Sequence, residues 1–216
     1  MLSLVVLTTA GCGKSYTYNY RITVSVRDHN RLAKASDVVR VTEEAVGTHA
    51  KVAALCGEAL TIKLSTGKYL VTLLSGSPLD DADGVHAQWR DSPTNIFLVR
   101  LKLPLAWSYS DDSGVKKLSS VRDVVHLTAY EMPEIVLFDN LNDPTTIKRV
   151  DPKESRLLGD GINIEDVSVQ VTDDDVSQGR LAATIPWLNA SNDYLDGSQF
   201  GRAVKGYHSF QFVQCK

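Results

Sequence analysis

The chain has 216 residues, of which 43% are hydrophobic and 23% charged, with a formal net charge of -3. That length suits one ordinary domain or two small ones, and the composition argues against wholesale disorder. The acidic balance argues against a nucleic-acid partner gripped through its phosphates, and no apolar run nears the roughly 20 residues of a spanning helix.

Residues 2–7 are Leu-Ser-Leu-Val-Val-Leu and run into Thr8-Thr9-Ala10-Gly11-Cys12. An apolar stretch that ends in small residues and a Cys resembles the end of a bacterial lipoprotein signal peptide. The resemblance implies cleavage after Gly11 and a diacylglycerol on the Cys12 thiol. Residues 1–11 are then signal peptide, and residues 12–216 are one β-rich domain. On the residues alone, positions 2–8 also fit a buried first strand of a cytoplasmic protein. Gly11-Cys12-Gly13-Lys14-Ser15 fails as a phosphate loop. The motif needs a Gly where Thr8 stands, and it must open a helix.

The segment from Tyr16 to Arg27 reads as a strand. Tyr16, Tyr18, Tyr20, Ile22, Val24 and Val26 alternate with polar residues, which puts one face on a core and the other in water. With Cys12 lipidated, the short spacer Gly13 to Ser15 would hold the domain within roughly 15 Å of the bilayer. Asp28 to Ser36 is polar and reads as a connection. A second strand is expected over Val38 to Val46, closed by Gly47. Leu60, Ile62 and Leu64, the turn Ser65-Thr66-Gly67-Lys68 and the apolar run Tyr69 to Leu74 form a hairpin with a buried second strand.

Asp80, Asp81 and Asp83 lie in an expected exposed loop. Ile96 to Leu103 reads as a strand stopped by Pro104, Asp111 to Ser120 as a polar mobile segment, and Val121 to Tyr130 as a strand on its Val content. Ile135 to Phe138 and Thr146 to Val150 are further short strands. Asp151-Pro152-Lys153-Glu154 has the pattern of a helix start. Ile162 and Ile164, then Val167, Val169 and Val171, change face once, as a β-bulge allows. Tyr207 to Val213 closes the chain as a strand. The expected class is mainly β, a sandwich or partly closed barrel with one or two short helices. Two small lobes meeting near residues 104–133 are the alternative.

Charge is unevenly spread. Cys12 to Cys56 holds seven basic and four acidic residues, whereas Asp139 to Phe200 holds five basic and twelve acidic ones. This pattern fits a basic end lying on anionic lipid, or simply two solvated faces.

No catalytic pattern emerges. The His residues at 29, 49, 86, 126 and 208 include no pair at metal-ligand spacing, and no Cys pair has a zinc-knuckle gap. No metal and no cofactor is expected. Asp80, Asp81 and Asp83 miss the ligand positions of a calcium loop, and Asp173-Asp174-Asp175 reads as a solvated turn before it reads as a weak calcium site. Cys56 with His49 makes a poor nucleophile and base without a third group to orient them. Once Cys12 is acylated, Cys56 and Cys215 are the remaining thiols and a candidate disulfide.

The segments Asn142-Asp143-Pro144-Thr145, Val150-Asp151-Pro152, Gly159-Asp160-Gly161 and Ile185-Pro186-Trp187-Leu188 resemble a group of uncharacterised proteobacterial cell-envelope lipoproteins. The resemblance covers most of the chain and brings no activity with it. It implies a protein on the periplasmic face of the bacterial cell envelope, held to the membrane by its lipid. The first functional expectation is a non-enzymatic binding or structural module with an envelope protein or polymer as partner. The other is an envelope hydrolase whose site is assembled from distant residues, with His49, His126 or His208 as suspects.

Overall fold

The computed structural model describes residues 14–46, 49–74, 93–104, 112–185, 187 and 213–214. Strands β1 (Ser15–Asp28), β2 (Arg31–Val46) and β3 (His49–Glu58) are followed by β4 (Leu60–Lys63) and β5 (Tyr69–Thr72). Two short helices, α1 (Thr94–Arg100) and α2 (Ser113–Leu118), precede β6 (Val124–His126), β7 (Ile135–Phe138), β8 (Ile147–Val150) and β9 (Ile162–Thr172). A single helical turn α3 (Arg180–Thr184) and the two-residue strand β10 (Val213–Gln214) complete the described elements.

The strands form two antiparallel sheets. One is ordered β3-β2-β1-β9-β6, with β10 added beside β3, and the other β4-β5-β7-β8. Neither closes into a barrel. The alternation in the first strand does what its period requires: Tyr18, Tyr20, Ile22, Val24 and Val26 are all buried. They meet Val167, Val169 and Val171 of the neighbouring β9 and, from the other sheet, Leu60, Ile62, Leu70, Ile135 and Leu137 in one core. The single change of face in β9 is a bulge. Ser25 pairs with Asp166 and Val26 with Ile164, so Glu165 is the extra residue.

The small sheet is apolar on both faces for a structural reason. Its second face, including Val71, Val136, Phe138 and Ile147, is covered by Leu181, Ile185 and Trp187 in a separate core. The Trp187 indole N–H donates to the Leu141 carbonyl at 2.6 Å, so its polar edge is satisfied.

Four expectations need correction. Asp28 to Ser36 is not a connection, because only His29 and Asn30 turn and β2 starts at Arg31. Ile96 to Leu103 is not a strand. Residues 94–100 are helix α1, which buries Ile96, Phe97 and Leu98 in succession, and a short apolar run carries no period that separates the two. Part of the polar 111–120 stretch is helix α2, seated by Val115 and Leu118. Asp151 starts no α-helix. Its carboxylate accepts the Lys153 N–H at 2.8 Å in a local turn, and only a three-residue 3₁₀ turn comes after it, at Ser155–Leu157. The expected strand over residues 207–213 lies largely outside the described residues.

Candidate binding groove

The groove arises from the way β3 leaves its sheet. It pairs with β2 from Val46–His49 to Arg40–Cys56 and then passes through Ala59 into β4 of the opposite sheet. Gly57 sits at this departure. A Cβ there would lie 2.9 Å from Val39 Cγ2, so only Gly lets the strand turn this close to β2. Strands that change sheets make the corners of such sandwiches. The consequence is an open border: among the described residues, positions 31–37 of β2 pair with β1 on one side and with no strand on the other.

Alternation along the hairpin identifies the groups on that border. In an antiparallel ladder every second residue turns its N–H and C=O away from its partner strand. Val38 is one of these, since its N–H donates to Ser177 Oγ at 3.3 Å and its carbonyl accepts the Ser177 N–H at 3.2 Å. Leu32, Lys34 and Ser36 continue in the same phase. Among the described residues their main-chain groups have no such partner on the outer side. Their side chains are exposed, while Ala33 and Ala35 pack against the core.

A run of hollows tracks the border where it faces β4. At the hairpin end a cavity of about 850 Å³ is lined by Asp28, His29, Arg31, Lys63 and Ser65. Next comes one of about 410 Å³ between Arg31, Lys34 and Ala35 on β2 and Thr61 and Lys63 on β4. A third, of about 130 Å³, ends at Asp37, Glu58 and Arg180. Arg31, Lys34 and Lys63 make no ion pair among the described residues, and Lys63 Nζ lies 5.7 Å from the centre of the Tyr69 ring. The outer two hollows are therefore cationic.

Both ends of the groove are held by buried carboxylates. Asp28 accepts the Ser65 N–H at 2.7 Å and the Ser65 hydroxyl at 2.6 Å, and His29 Nδ1 lies 3.0 Å from its Oδ1. The Ser65 hydroxyl, assisted by His29 and the Ser65 N–H, holds the Asp28 carboxyl below its ordinary range despite burial. His29 itself sits at a φ of 56° and donates its N–H to Gly161 at 2.8 Å, which fixes an unusual conformation for a His in a two-residue turn. At the far end Glu58 accepts the N–H groups of Gly179, Arg180 and Leu181, at 2.5, 3.0 and 3.0 Å. Asp37 pairs with Arg180. Burial pushes the Asp37 carboxyl up, against the pull of Ser177 and Arg180.

Asp28, His29 and Ser65 are the residue types of a hydrolytic triad, but they are arranged as a strut. The Ser65 hydroxyl donates to the same Asp28 oxygen that His29 contacts, and Ser65 Oγ is 3.5 Å from His29 Nδ1. A base must take the nucleophile's proton on its own nitrogen while the acid orients it from the other side. Here the carboxylate holds both groups and ties the β1–β2 turn to the β4–β5 turn.

The sequence suspects lie elsewhere. His126 is on β6, at the far border of the large sheet, with Nδ1 2.8 Å from Asp166 Oδ1 and a side chain 68% exposed. His49 opens β3, with its side chain outside the described residues, as are His86, His208, Cys12 and Cys215. Cys56 is on β3, with Gln178 Nε2 3.6 Å from its Sγ. Asp173 pairs with Arg122 at 2.5 Å and Asp174 with Arg21, so these members of the acidic triplet tie the end of β9 to the segment before β6 and to β1. Asp80, Asp81 and Asp83 lie outside the described residues. Among those described, no three His, Cys, Asp or Glu residues converge as around a metal ion, and no helix is long and apolar enough to cross a membrane.

Sequence reasoning missed the groove residues His29, Arg31 and Lys34 because residues 28–36 read as a loop, and Lys63 because nothing local shows that the β4 strand faces them. The available signal was the alternation of Ala33 and Ala35 with Leu32, Lys34 and Ser36, muted by the small size of alanine. The chain matches no protein-family model, no curated protein and no solved structure.

Proposed function

We propose that this chain is a cell-envelope lipoprotein, anchored through Cys12 on the periplasmic face, that acts as a non-enzymatic binding module. Support for the anchor comes from residues 2–12, where an apolar run ends in Ala10, Gly11 and Cys12. Two acyl chains would hold such a domain stably where one would be marginal. The observation that carries the binding role is the cationic groove beside an unpaired β2 border. A strand border left open among the described residues, and lined with cations that make no ion pair there, is a surface for a partner.

Fractionation tests the anchor. The full chain should sediment with membranes and a Cys12→Ser form should not; equal solubility of the two removes the lipoprotein reading. A photo-crosslinker at position 32, placed in the membrane-bound chain, tests the binding role. Discrete adducts absent when the crosslinker sits at position 165 support it, and identical patterns from both positions overturn it.

A second reading, an envelope hydrolase, draws on the Asp28–His29 pair facing the hollow of about 850 Å³. An oriented His in a cleft is a candidate base. Hydrolysis of any ester or amide substrate that is lost in His29→Ala, with melting unchanged, would favour it over the binding module.

A further inference from the structure

We infer that the β2 border from Leu32 to Ser36 takes an extended, acidic segment of another protein as an added antiparallel or parallel strand. This inference rests on the binding-module reading and specifies its partner.

Main-chain geometry supports a strand as the occupant. Leu32, Lys34 and Ser36 turn their N–H and C=O outward, in phase with Val38. The protein's own chain already uses the last position of this ladder, where Ser177 exchanges hydrogen bonds with Val38. An incoming strand would begin where Ser177 stops and run towards the hairpin tip. Strand addition of this kind gains its affinity from the main chain and its selectivity from alternate side chains.

Charge selects the partner. Arg31, Lys34 and Lys63 line the same hollow without an acidic partner among the described residues. Elsewhere on the large sheet Arg21 is neutralised by Asp174 and Arg27 by Glu165 at 3.0 Å, while Arg40 donates to the Asn19 side chain at 3.1 Å. A strand with carboxylates at every second residue carries them on one face, beside Lys34, while Arg31 and Lys63 add positive charge to the hollow it borders. A second copy of this chain fits poorly, because a two-fold pairing centred on Lys34 sets Lys34 against Lys34, and like charges directly opposite are destabilising.

The probe is an extended peptide of about eight residues alternating Glu with Val, long enough to span the border. It is titrated into the full chain alongside a Lys-for-Glu version, two versions N-methylated at every second residue in opposite frames, and inorganic polyphosphate. The acidic peptide should slow amide exchange in residues 31–37 and bind roughly tenfold more tightly than the Lys version, the sum of a few exposed charge pairs. One N-methylated frame should lose binding and the other keep it, since only one row of peptide N–H groups faces β2. Lys34→Glu, an exposed change, should abolish the preference for acid without altering the melting temperature. The inference is overturned by absent binding, by equal binding of both N-methylated frames, by protection outside residues 31–37, or by polyphosphate giving the same protection. If crosslinks from position 32 persist while the peptide fails, the binding-module reading stands and this partner falls.

Discussion

The two halves of β2 are continuous in sequence and differ in almost every physical property. Residues 40–44 run between β1 and β3, and Val41 and the adjoining Val39 are fully buried. Residues 31–37 have β1 alone among the described residues, and Leu32 is 53% exposed. Both halves are equally regular strand, because a hairpin partner joined through a two-residue turn is enough to fix register. Burial is a separate matter and needs a second neighbour. β3 supplies that neighbour until Gly57, where it crosses to the other sheet and leaves the hairpin end open.

The sharpest way to break this comparison is to place one charge on each half. Val39→Asp should cost about 3–5 kcal/mol, since it buries an unpaired carboxylate between two strands. Urea denaturation of the purified chain measures it. Next in size is the cysteine pair. The β10–β3 register sets Val213 opposite Glu58 and Gln214 opposite Gly57, so this ladder runs towards Cys56, the expected partner of Cys215. A disulfide there would close a loop of about 160 residues and should be worth roughly 2–4 kcal/mol. It would staple a border that β10 covers, in contrast to the open one on β2. Intact mass after alkylation without reductant should show neither Cys56 nor Cys215 modified; two alkylated thiols would exclude the bridge.

Glu58 sharpens the boundary between the halves. Its carboxylate holds the three N–H groups of residues 179–181, next to the Ser177 that covers Val38. Glu58→Ala should cost about 1–3 kcal/mol and speed amide exchange at Val38, extending the open border by one position. Smaller again is an effect of pH at the hairpin tip. The folded-state carboxyl of Asp28 is held below its unfolded value, chiefly by Ser65. Its contribution is therefore complete above the ordinary carboxylate range of about 4 and is lost as pH falls through the depressed folded value. Asp28→Asn should lower the melting temperature at neutral pH and flatten its decline below about pH 4; parallel acid limbs for both proteins would contradict this. The smallest expected effect is Leu32→Asp, within about 0.5 kcal/mol of the parent. A loss near that of Val39→Asp would mean that the outer half is buried after all.

Legibility in the sequence tracked the strength of local pattern. The period-two run from Tyr16 to Val26, the β4–β5 hairpin and the face change in β9 were readable because bulky residues mark the buried positions. The outer half of β2 was not, since Ala33 and Ala35 face the core with so little apolar surface that the segment looks polar throughout. β3 was unreadable for another reason: it leaves one sheet and enters the next, so no single face stays buried along its length. The groove inherits both failures, because it lies between an unrecognised strand border and a strand that changes sheets.

The sequence by itself determined the class, a mainly β chain with its first long strand half-buried, because alternation of large apolar and polar residues is a local property with one structural solution. The apolar run before Cys12 is likewise a property of consecutive residues. Tertiary structure alone decided which carboxylates became struts and which cations make no ion pair among the described residues. Asp28 meets Ser65 across 37 positions, and Glu58 meets Arg180 across 122. No spacing rule reaches that far, since contacts between distant segments depend on how the two sheets pack and where β3 crosses between them.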